Sequence, residues 1–197
     1  MIIGLLGFIG SGKGTAGEIL AEKGFIQLSF ADSLKDATSA IFGWSRDLLE
    51  GDTEISREFR ETIDLFWSGK FGKDITPRYI LQIMGTEVMR NNLLNSIWVD
   101  SLERKLLQHE NVVVTDVRFI NEIKFLHDLG GILLQIDRTT TRPAWFNLLD
   151  RHDMLEKLNI HRSEYEWCGN NLIDRIIIND SNFEDLELKL LDVVVNF

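Results

Sequence analysis

The chain has 197 residues and carries 21 Lys and Arg side chains against 31 Asp and Glu side chains, a formal net charge of −10. Binding of polyanions or anionic lipids depends on clustered cations, so this balance argues against a general nucleic-acid binder and a polybasic membrane anchor. A composition of 44% hydrophobic and 26% charged residues excludes intrinsic disorder and predicts a globular chain with a sizeable core.

Cysteine and histidine usage predicts a reducing compartment. The single cysteine, Cys168, cannot form an internal disulfide, and the 4 histidines lie too far apart for a zinc-ligand pattern, so we expect no structural metal. No apolar run approaches the roughly 20 residues that span a bilayer, and the first residues lack a basic leader. We therefore expect a cytoplasmic protein with no membrane partner.

Apolar runs alternate with helical spacing along most of the chain. Strands are predicted at Ile2–Leu6, Phe25–Phe30, Val112–Thr115, Ile132–Ile136 and Ile176–Ile178. Helices are predicted up to Gly24, from an N-cap at Asp32 or Ser33, from Pro77 through Met89, around Ile97–Leu106, through Ile123 and Leu126, and over Phe183–Val195. This alternation predicts an α/β fold with about five parallel strands and helices on both faces. Residues 43–76 are charged and aromatic, which favours short helices and loops covering a cleft.

A glycine-rich loop joins the first predicted strand to the first predicted helix. Residues 7–15 read GFIGSGKGT, so backbone N–H groups can surround a polyphosphate while Lys13 reaches its terminal phosphates. A simple glycine-rich turn is the alternative, but the strand, the helix and the lysine all agree with a phosphate-binding loop. The candidate nucleotide-binding residues of this loop are Gly10, Ser11, Gly12, Lys13, Gly14 and Thr15. Because Gly14 follows Lys13, the order resembles the adenylate-kinase type, with Thr15 as the hydroxyl facing magnesium.

An acidic residue and a basic residue follow the predicted strand at Val112–Thr115. Ligands of open α/β sheets bind at the carboxyl ends of strands, so Asp116 can hold magnesium and Arg118 can clamp an acceptor phosphate. Glu122 would share the face of Arg118 and orient its guanidinium if the intervening residues were helical. The alternative is that Asp116 caps a turn and Arg118 is solvated.

Polar residues interrupt the apolar stripe of the helix predicted from Pro77. Arg78, Gln82 and Thr86 are spaced four apart, which would stack them on one helical face for recognition of a flat, polar ligand. A solvated helix face is the alternative, and it applies equally to Arg90. Trp98 is a candidate base-stacking platform whose alternative is a place in the core.

Several short strings in this order and spacing resemble a phage-type deoxynucleoside monophosphate kinase. They are residues 29–35 (SFADSLK), 76–78 (TPR), 81–87 (LQIMGTE), Trp98, 116–122 (DVRFINE) and 178–180 (IND). The resemblance implies a three-layer P-loop NTPase fold in a single domain over residues 1–197, with a helical monophosphate-binding part at about 43–109 and a mobile lid at 138–171.

The resemblance also implies which residues form the substrate pocket. The monophosphate pocket of such kinases corresponds here to Arg78, Gln82, Gly85, Thr86, Trp98, Asp116, Arg118 and Glu122, to which we add Asp32, Lys35 and Arg90 as candidates. Asn179 and Asp180 resemble the loop that borders the ATP adenine, and their alternative is a turn with an N-cap.

Arginines of the irregular segment 138–171 occupy the lid position. Arg138 and Arg142 would neutralise the transferring phosphoryl group and exclude water, and Arg151 is a further candidate. A solvated connector is the alternative. The motif His161-Arg162-Ser163-Glu164 also resembles the family, but the sequence assigns it no task.

These inferences predict an ATP- and Mg²⁺-dependent kinase that converts deoxynucleoside 5′-monophosphates to diphosphates for DNA synthesis. We expect Lys13, Arg118, Arg138 and Arg142 to be its catalytic residues and small molecules to be its only stable ligands. The sequence does not determine the oligomeric state, and a homodimer is compatible with the sequence. Two rivals are another P-loop small-molecule kinase, such as one acting on dephospho-coenzyme A, and a non-catalytic nucleotide-binding protein.

Overall fold

The computed structural model describes residues 1–196 and divides into two compact units. The first unit contains Met1–Ser29 and the chain from Lys105 onward, and the second contains Phe30–Arg104. Within residues 1–196 the α-helices are α1 Lys13–Glu22, α2 Asp32–Phe42, α3 Glu54–Glu61, α4 Leu65–Phe71, α5 Pro77–Gln82, α6 Ile97–Leu106, α7 Ile120–Asp128, α8 His152–Lys157 and α9 Phe183–Asn196. None of these helices is both long and apolar enough to cross a lipid bilayer.

The first unit is built on a parallel sheet. Its strands are β1 Ile2–Leu6, β2 Ile26–Leu28, β3 Val112–Val114, β4 Ile132–Asp137 and β5 Arg175–Ile178. Their spatial order is β2-β3-β1-β4-β5, and every neighbouring pair is parallel. Strand β1 lies at the centre, with Ile3 beside both Val113 and Ile132. The predicted sheet of about five parallel strands is therefore confirmed within residues 1–196.

Side chains on the two faces of β1 enter different layers. Ile3 and Leu5 are fully buried in a core that α1 and α9 complete, with Ile19 and Leu190 among its members. Gly4 faces the other way, where an added Cβ would lie 2.8 Å from a methyl group of Leu126 in α7. Helices thus cover both faces of the sheet, which gives the expected three layers and leaves the carboxyl ends of the strands for loops.

The second unit is helical and has its own core. Buried Trp44, Leu49, Ile75, Ile80 and Leu81 form this cluster. Short elements account for the charged stretch at residues 43–76: a 3₁₀ turn at Asp47–Leu49, then α3 and α4. Two of these helices have side-chain caps, since Thr53 accepts from the N–H of Ser56 and Asp64 accepts from the N–H of Trp67.

The predicted N-cap of α2 is wrong. Ala31 occupies that position without a side-chain cap, and the helix already includes Asp32. The two polar side chains have other partners: the Asp32 carboxylate pairs with Arg46, and the Ser33 hydroxyl hydrogen-bonds Ser101. Tertiary partners have therefore displaced the local capping interaction.

The helix predicted from Pro77 through Met89 is α-helical only as far as Gln82. From Ile83 to Arg90 the backbone is a π-helix, a wide form that often marks functional sites. The carbonyl of Gly85 in this turn accepts a hydrogen bond from the indole N–H of Trp98 at 2.9 Å. The α-helical spacing argument therefore covers Arg78 and Gln82 but not Thr86.

Candidate functional site

The glycine-rich loop between β1 and α1 adopts a backbone that only glycine tolerates at two positions. Gly7 has φ +147° and Gly12 has φ +103°. A Cβ on Gly7 would lie 2.3 Å from the carbonyl oxygen of Ile136, and one on Gly12 would lie 2.3 Å from the side-chain nitrogen of Asn179. The loop is therefore packed directly against the ends of β4 and β5.

Lys13, the first residue of α1, folds back over this loop. Its Nζ donates to the carbonyl oxygens of Gly7 at 2.7 Å and Phe8 at 2.8 Å. Burial, and secondly the nearby charge of Arg118, lowers the pKa of Lys13 to about 8, while Glu164 and Asp116 oppose that shift. A cation held against neutral carbonyls gains a stronger acceptor when a phosphate enters the loop.

A buried side chain from the end of β5 braces the loop. Asn179 is 3% exposed and its Nδ2 donates to the carbonyl oxygen of Ser11 at 2.8 Å. Ser11 is itself 1% exposed, and its hydroxyl has no hydrogen-bond partner within residues 1–196. The predicted adenine-loop residue Asn179 thus contacts the phosphate loop backbone.

A cavity of about 480 Å³ opens beside the loop. Its lining residues come from the loop, the ends of three strands and the start of α9: Gly10, Gly12, Lys13, Gly14, Thr15, Thr115, Arg138, Asn179, Asn182, Phe183 and Leu186. Most of the predicted nucleotide-binding residues therefore share one cavity with a predicted lid arginine. Such a volume is in the range of small-molecule sites.

Asp116 and Arg118 follow β3. The Asp116 carboxylate accepts from the Ser29 hydroxyl at 2.6 Å, and Nη1 of Arg118 donates to Glu164 at 3.0 Å. Because β1 and β3 are parallel neighbours, both residues lie at the same end of the sheet as the loop after β1, and both charges contribute to the pKa of Lys13. The predicted partner of Arg118 was Glu122, so Glu164 is an ion-pair partner that sequence reasoning missed.

Glu122 fixes backbone at the start of α7. Its carboxylate accepts from the N–H of Arg118 at 2.9 Å and from the N–H of Phe119 at 3.1 Å. The helix begins at Ile120, so Arg118 is not on it and the expected shared helical face does not exist. Glu122 thus positions Arg118 through the main chain.

The candidate lid residues have different surroundings. Nε of Arg138 donates to the carbonyl oxygen of Asn179 at 2.8 Å, and the side chain lines the cavity. Arg142 pairs with the buried carboxylate of Asp137 and lies over the Phe146 ring at 4.4 Å. The structure therefore places Arg138 at the cavity and gives Arg142 partners outside its lining. Arg151 is exposed at the start of α8.

Asp180 closes the turn after β4. Its carboxylate accepts from the backbone N–H of Thr139 at 2.8 Å and from the Thr139 hydroxyl at 2.7 Å, and these hydrogen bonds lower its pKa. The N-cap of α9 is instead Asn182, which accepts from the N–H of Asp185 at 3.1 Å. Asp180 thus tethers the start of the segment 138–171.

Aromatic rings attach the segment 138–171 to the phosphate loop. Phe8, 5% exposed, has its ring centroid 4.9 Å from that of Trp167 and 5.7 Å from those of Trp145 and Phe146. This contact was missed because Phe8 stands at a position where the loop motif accepts any residue. Only the fold shows that three rings converge on it.

In the second unit, several predicted substrate residues are ion-paired. Lys35 pairs with Glu50 at 2.5 Å, Arg78 pairs with Glu61, and Asp32 pairs with Arg46 at 3.2 Å. Gln82 is exposed, Thr86 and Arg90 are half-buried on the π-helix, and Gly85 and Trp98 are brought together by their hydrogen bond.

Comparisons with known proteins agree with a kinase site. A family model described as deoxynucleotide monophosphate kinase matches residues 50–190. A "Putative deoxynucleotide monophosphate kinase" of Acanthamoeba polyphaga mimivirus is 33% identical and covers 100% of this chain and 97% of its own. The deoxynucleoside-5′-monophosphate kinase of Escherichia phage T5 is 28% identical over 62% of this chain, which spans about half (51%) of that relative's length.

Solved structures show a similar fold at low identity. TT1252 from Thermus thermophilus aligns with a TM-score of 0.50 and 18% identity over 100% of this chain and 97% of its own. A dephospho-CoA kinase from Campylobacter jejuni aligns with a TM-score of 0.50 and 17% identity over 98% and 95%. At these identities the similarity shows the fold alone.

Proposed function

Because the chain belongs to the deoxynucleotide monophosphate kinase family, we propose that it transfers the γ-phosphoryl group of ATP to the 5′-phosphate of a deoxynucleoside monophosphate. The family makes it a P-loop kinase, a phosphotransferase with small-molecule substrates. The observation that carries the proposal is the placement of Lys13 at a cavity of about 480 Å³ with the charges of Asp116 and Arg118 close enough to shift its pKa.

The donor half of the reaction rests on the loop and Lys13. The left-handed glycines turn the backbone so that the N-terminus of α1 faces the cavity, and Lys13 and Arg138 both line it. An oxygen of the acceptor phosphate attacks the γ-phosphorus in line, the bond to the bridging β–γ oxygen breaks, and ADP leaves. No side-chain nucleophile is needed, so catalysis consists of positioning and charge neutralisation.

The acceptor phosphate is assigned to Arg118. Its guanidinium uses Nη1 for Glu164, and a planar guanidinium has further N–H donors for a phosphate. The proposed substrate-binding residues of the second unit stay a proposal; they are Asp32, Lys35, Arg78, Gln82, Gly85, Thr86, Arg90 and Trp98. The lid at residues 138–171 stays a proposal, and Arg142 stays a proposed residue of that lid.

The residues at the loop fit a magnesium ion. Mg²⁺ is bound through one or two carboxylates together with substrate phosphates, and Thr15 and Asp116 supply a hydroxyl and a carboxylate at this end of the sheet. Within residues 1–196 no group of three or more His, Cys, Asp or Glu side chains is arranged to hold a metal. When bound, the ion would neutralise phosphate charge.

A coupled assay of ADP release tests the proposal. The wild-type chain is incubated with ATP, Mg²⁺ and, one at a time, each deoxynucleoside monophosphate, each ribonucleoside monophosphate and dephospho-coenzyme A. We expect turnover that depends on at least one deoxynucleoside monophosphate. Turnover with dephospho-coenzyme A alone would support the rival kinase, and ATP binding without acceptor-dependent ADP release would support a non-catalytic protein.

The lysine variant gives the assay its control. Lys13→Ala removes the cation from the loop, and we expect a loss of turnover of at least about a hundredfold with the fold retained. Lys124→Ala, on the exposed face of α7, is the matched control and should keep full activity. Equal activity of the two variants would contradict the proposal.

Five further expectations from the sequence stay predictions. They are a role in DNA synthesis, a phage source, a cytoplasmic location, a homodimer and the absence of stable nucleic-acid binding.

A further inference from the structure

The motif His161–Glu164, to which the sequence assigns no task, brings a carboxylate to Arg118, the arginine that is proposed to bind the acceptor phosphate. Glu164 ends a 3₁₀ turn at Arg162–Glu164, and its carboxylate accepts from Nη1 of Arg118 at 3.0 Å. The two residues are 46 positions apart in the sequence, so the fold alone creates the pair. The pair is partly exposed, with 29% of the Glu164 side chain and 42% of the Arg118 side chain accessible.

Resting on the proposed function, we propose that Glu164 is a positioning residue that holds the guanidinium of Arg118 in the orientation that receives the acceptor phosphate. Glu164 accepts from one N–H donor of Arg118. Because the guanidinium is planar and rigid, this contact also fixes the direction of its remaining N–H groups. An arginine oriented before binding loses less side-chain freedom when the phosphate arrives.

The backbone around Glu164 is itself held in place. The side chain of His161 accepts from the N–H of Ser163 and its Nδ1 lies 2.8 Å from the Ser163 hydroxyl, which caps the turn. The next residues, Tyr165 and Trp167, are 3% and 2% exposed. A capped turn before Glu164 and buried aromatic residues after it therefore hold the backbone of Glu164 in place.

One of these anchors connects Glu164 to the phosphate loop. The Trp167 ring lies 4.9 Å from the ring of Phe8, which is the second residue of the loop. The segment that carries Glu164 is thus packed against the donor loop. A position fixed relative to the loop is what an arginine that aligns an acceptor with the γ-phosphate requires.

Arg118 is held at a second point by Glu122. That carboxylate binds the backbone N–H of Arg118 at 2.9 Å, while Glu164 binds its guanidinium. Two carboxylates thus divide the task, one for the main chain and one for the side chain.

Kinetic constants of Glu164 variants test this proposal. For Glu164→Ala we expect the KM for the monophosphate to rise about tenfold, the size of losing one charge-assisted hydrogen bond, while the KM for ATP changes less than twofold. Glu164→Gln keeps the shape and an acceptor oxygen, so it should recover part of the loss. Glu166→Gln, in the same segment but paired with Arg162, is the matched control and should match the wild type.

A double-mutant cycle separates positioning from a structural role. If Glu164 acts through Arg118, then Glu164→Ala in an Arg118→Ala background should add no further increase in the monophosphate KM. A full additional increase would overturn the proposal, as would an unchanged or lowered KM in the single variant. Should Glu164→Ala fail to fold, the isosteric Glu164→Gln decides by the same cycle.

Failure of this inference differs from failure of the proposed function. If the wild-type chain shows no monophosphate-dependent ADP release, the proposed function fails before Glu164 is tested. If the wild type is active and Glu164 variants behave like Glu166→Gln, only the positioning role is overturned.

Discussion

The side-chain amide of Asn179 donates to the carbonyl oxygen of Ser11 at 2.8 Å, which joins two buried residues that are 168 positions apart. Asn179 directly follows β5, and Ser11 lies in the loop after β1. The phosphate loop is therefore held by the far end of the chain as well as by its own glycines.

Asn179→Ala should weaken this loop. The Ser11 carbonyl loses its buried donor, so we expect the free energy of unfolding to fall by about 1–3 kcal/mol and the KM for ATP to rise. Chemical denaturation followed by circular dichroism measures the first quantity, and initial rates measure the second. Asn171→Ala, at an exposed position, is the control and should change neither. An Asn179→Ala variant with wild-type stability would contradict the bracing role.

Gly12→Ala should be far more damaging than Gly14→Ala. A Cβ at Gly12 would lie 2.3 Å from Nδ2 of Asn179 on a backbone with φ +103°, whereas a Cβ at Gly14 meets nothing within 4 Å. We expect Gly12→Ala to lose at least about 2 kcal/mol of stability and most ATP binding. Gly14→Ala should keep its stability or gain up to about 1 kcal/mol, because alanine favours the first turn of α1. Thermal unfolding of both variants decides, and equal losses would be inconsistent with this geometry.

Cys168 should be nearly unreactive in the native protein. Burial, and secondly the charge of Asp137, raises the pKa of its thiol from 9.0 to about 12. The thiolate is the reactive form, so alkylation near pH 8 should be about a thousandfold slower than in the denatured chain. The unfolded thiol ionises above pH 9 while the folded one stays protonated, so this group lowers stability as pH rises through that range. Equal alkylation rates before and after denaturation would refute the prediction.

Trp98→Phe should destabilise the helical unit. The substitution removes the donor of a buried 2.9 Å hydrogen bond to the carbonyl oxygen of Gly85 in the π-helix. We expect a loss of about 1–3 kcal/mol in urea denaturation. Trp145→Phe is the comparison, because the indole N–H of Trp145 makes no hydrogen bond within residues 1–196 and phenylalanine keeps a ring for Phe8. If the two substitutions cost the same, the hydrogen bond contributes little.

Local patterns predict the sheet and the phosphate loop because their physical causes are local. The apolar run Val112–Val114 and the glycines around Lys13 have few alternative structures, and both occur as expected. The pairing of Glu164 with Arg118 depends instead on how distant segments pack. The sequence around either residue contains no signal that predicts its partner.

Side-chain competition explains the errors within elements. Asp32 is a good capping residue in isolation, but Arg46 offers it a charged partner. The apolar spacing of residues 77–89 predicts an α-helix, but the Gly85 carbonyl in this segment accepts a hydrogen bond from Trp98, a contact that the local pattern does not show. Glu122 was expected to orient the guanidinium of Arg118. Because α7 begins only at Ile120, the Glu122 carboxylate accepts from the backbone N–H of Arg118 instead.

The central position of β1 has a consequence for biosynthesis. Ile3 pairs with Val113 on one side and Ile132 on the other, so β1 has no neighbour to pair with until β3 has been synthesised, and β4 follows later still. Contacts this distant in sequence slow folding and leave strand edges open to aggregation. The nascent chain is therefore expected to need chaperone protection until β4 has emerged, and Asn179 can brace the phosphate loop only after β5 has been synthesised as well.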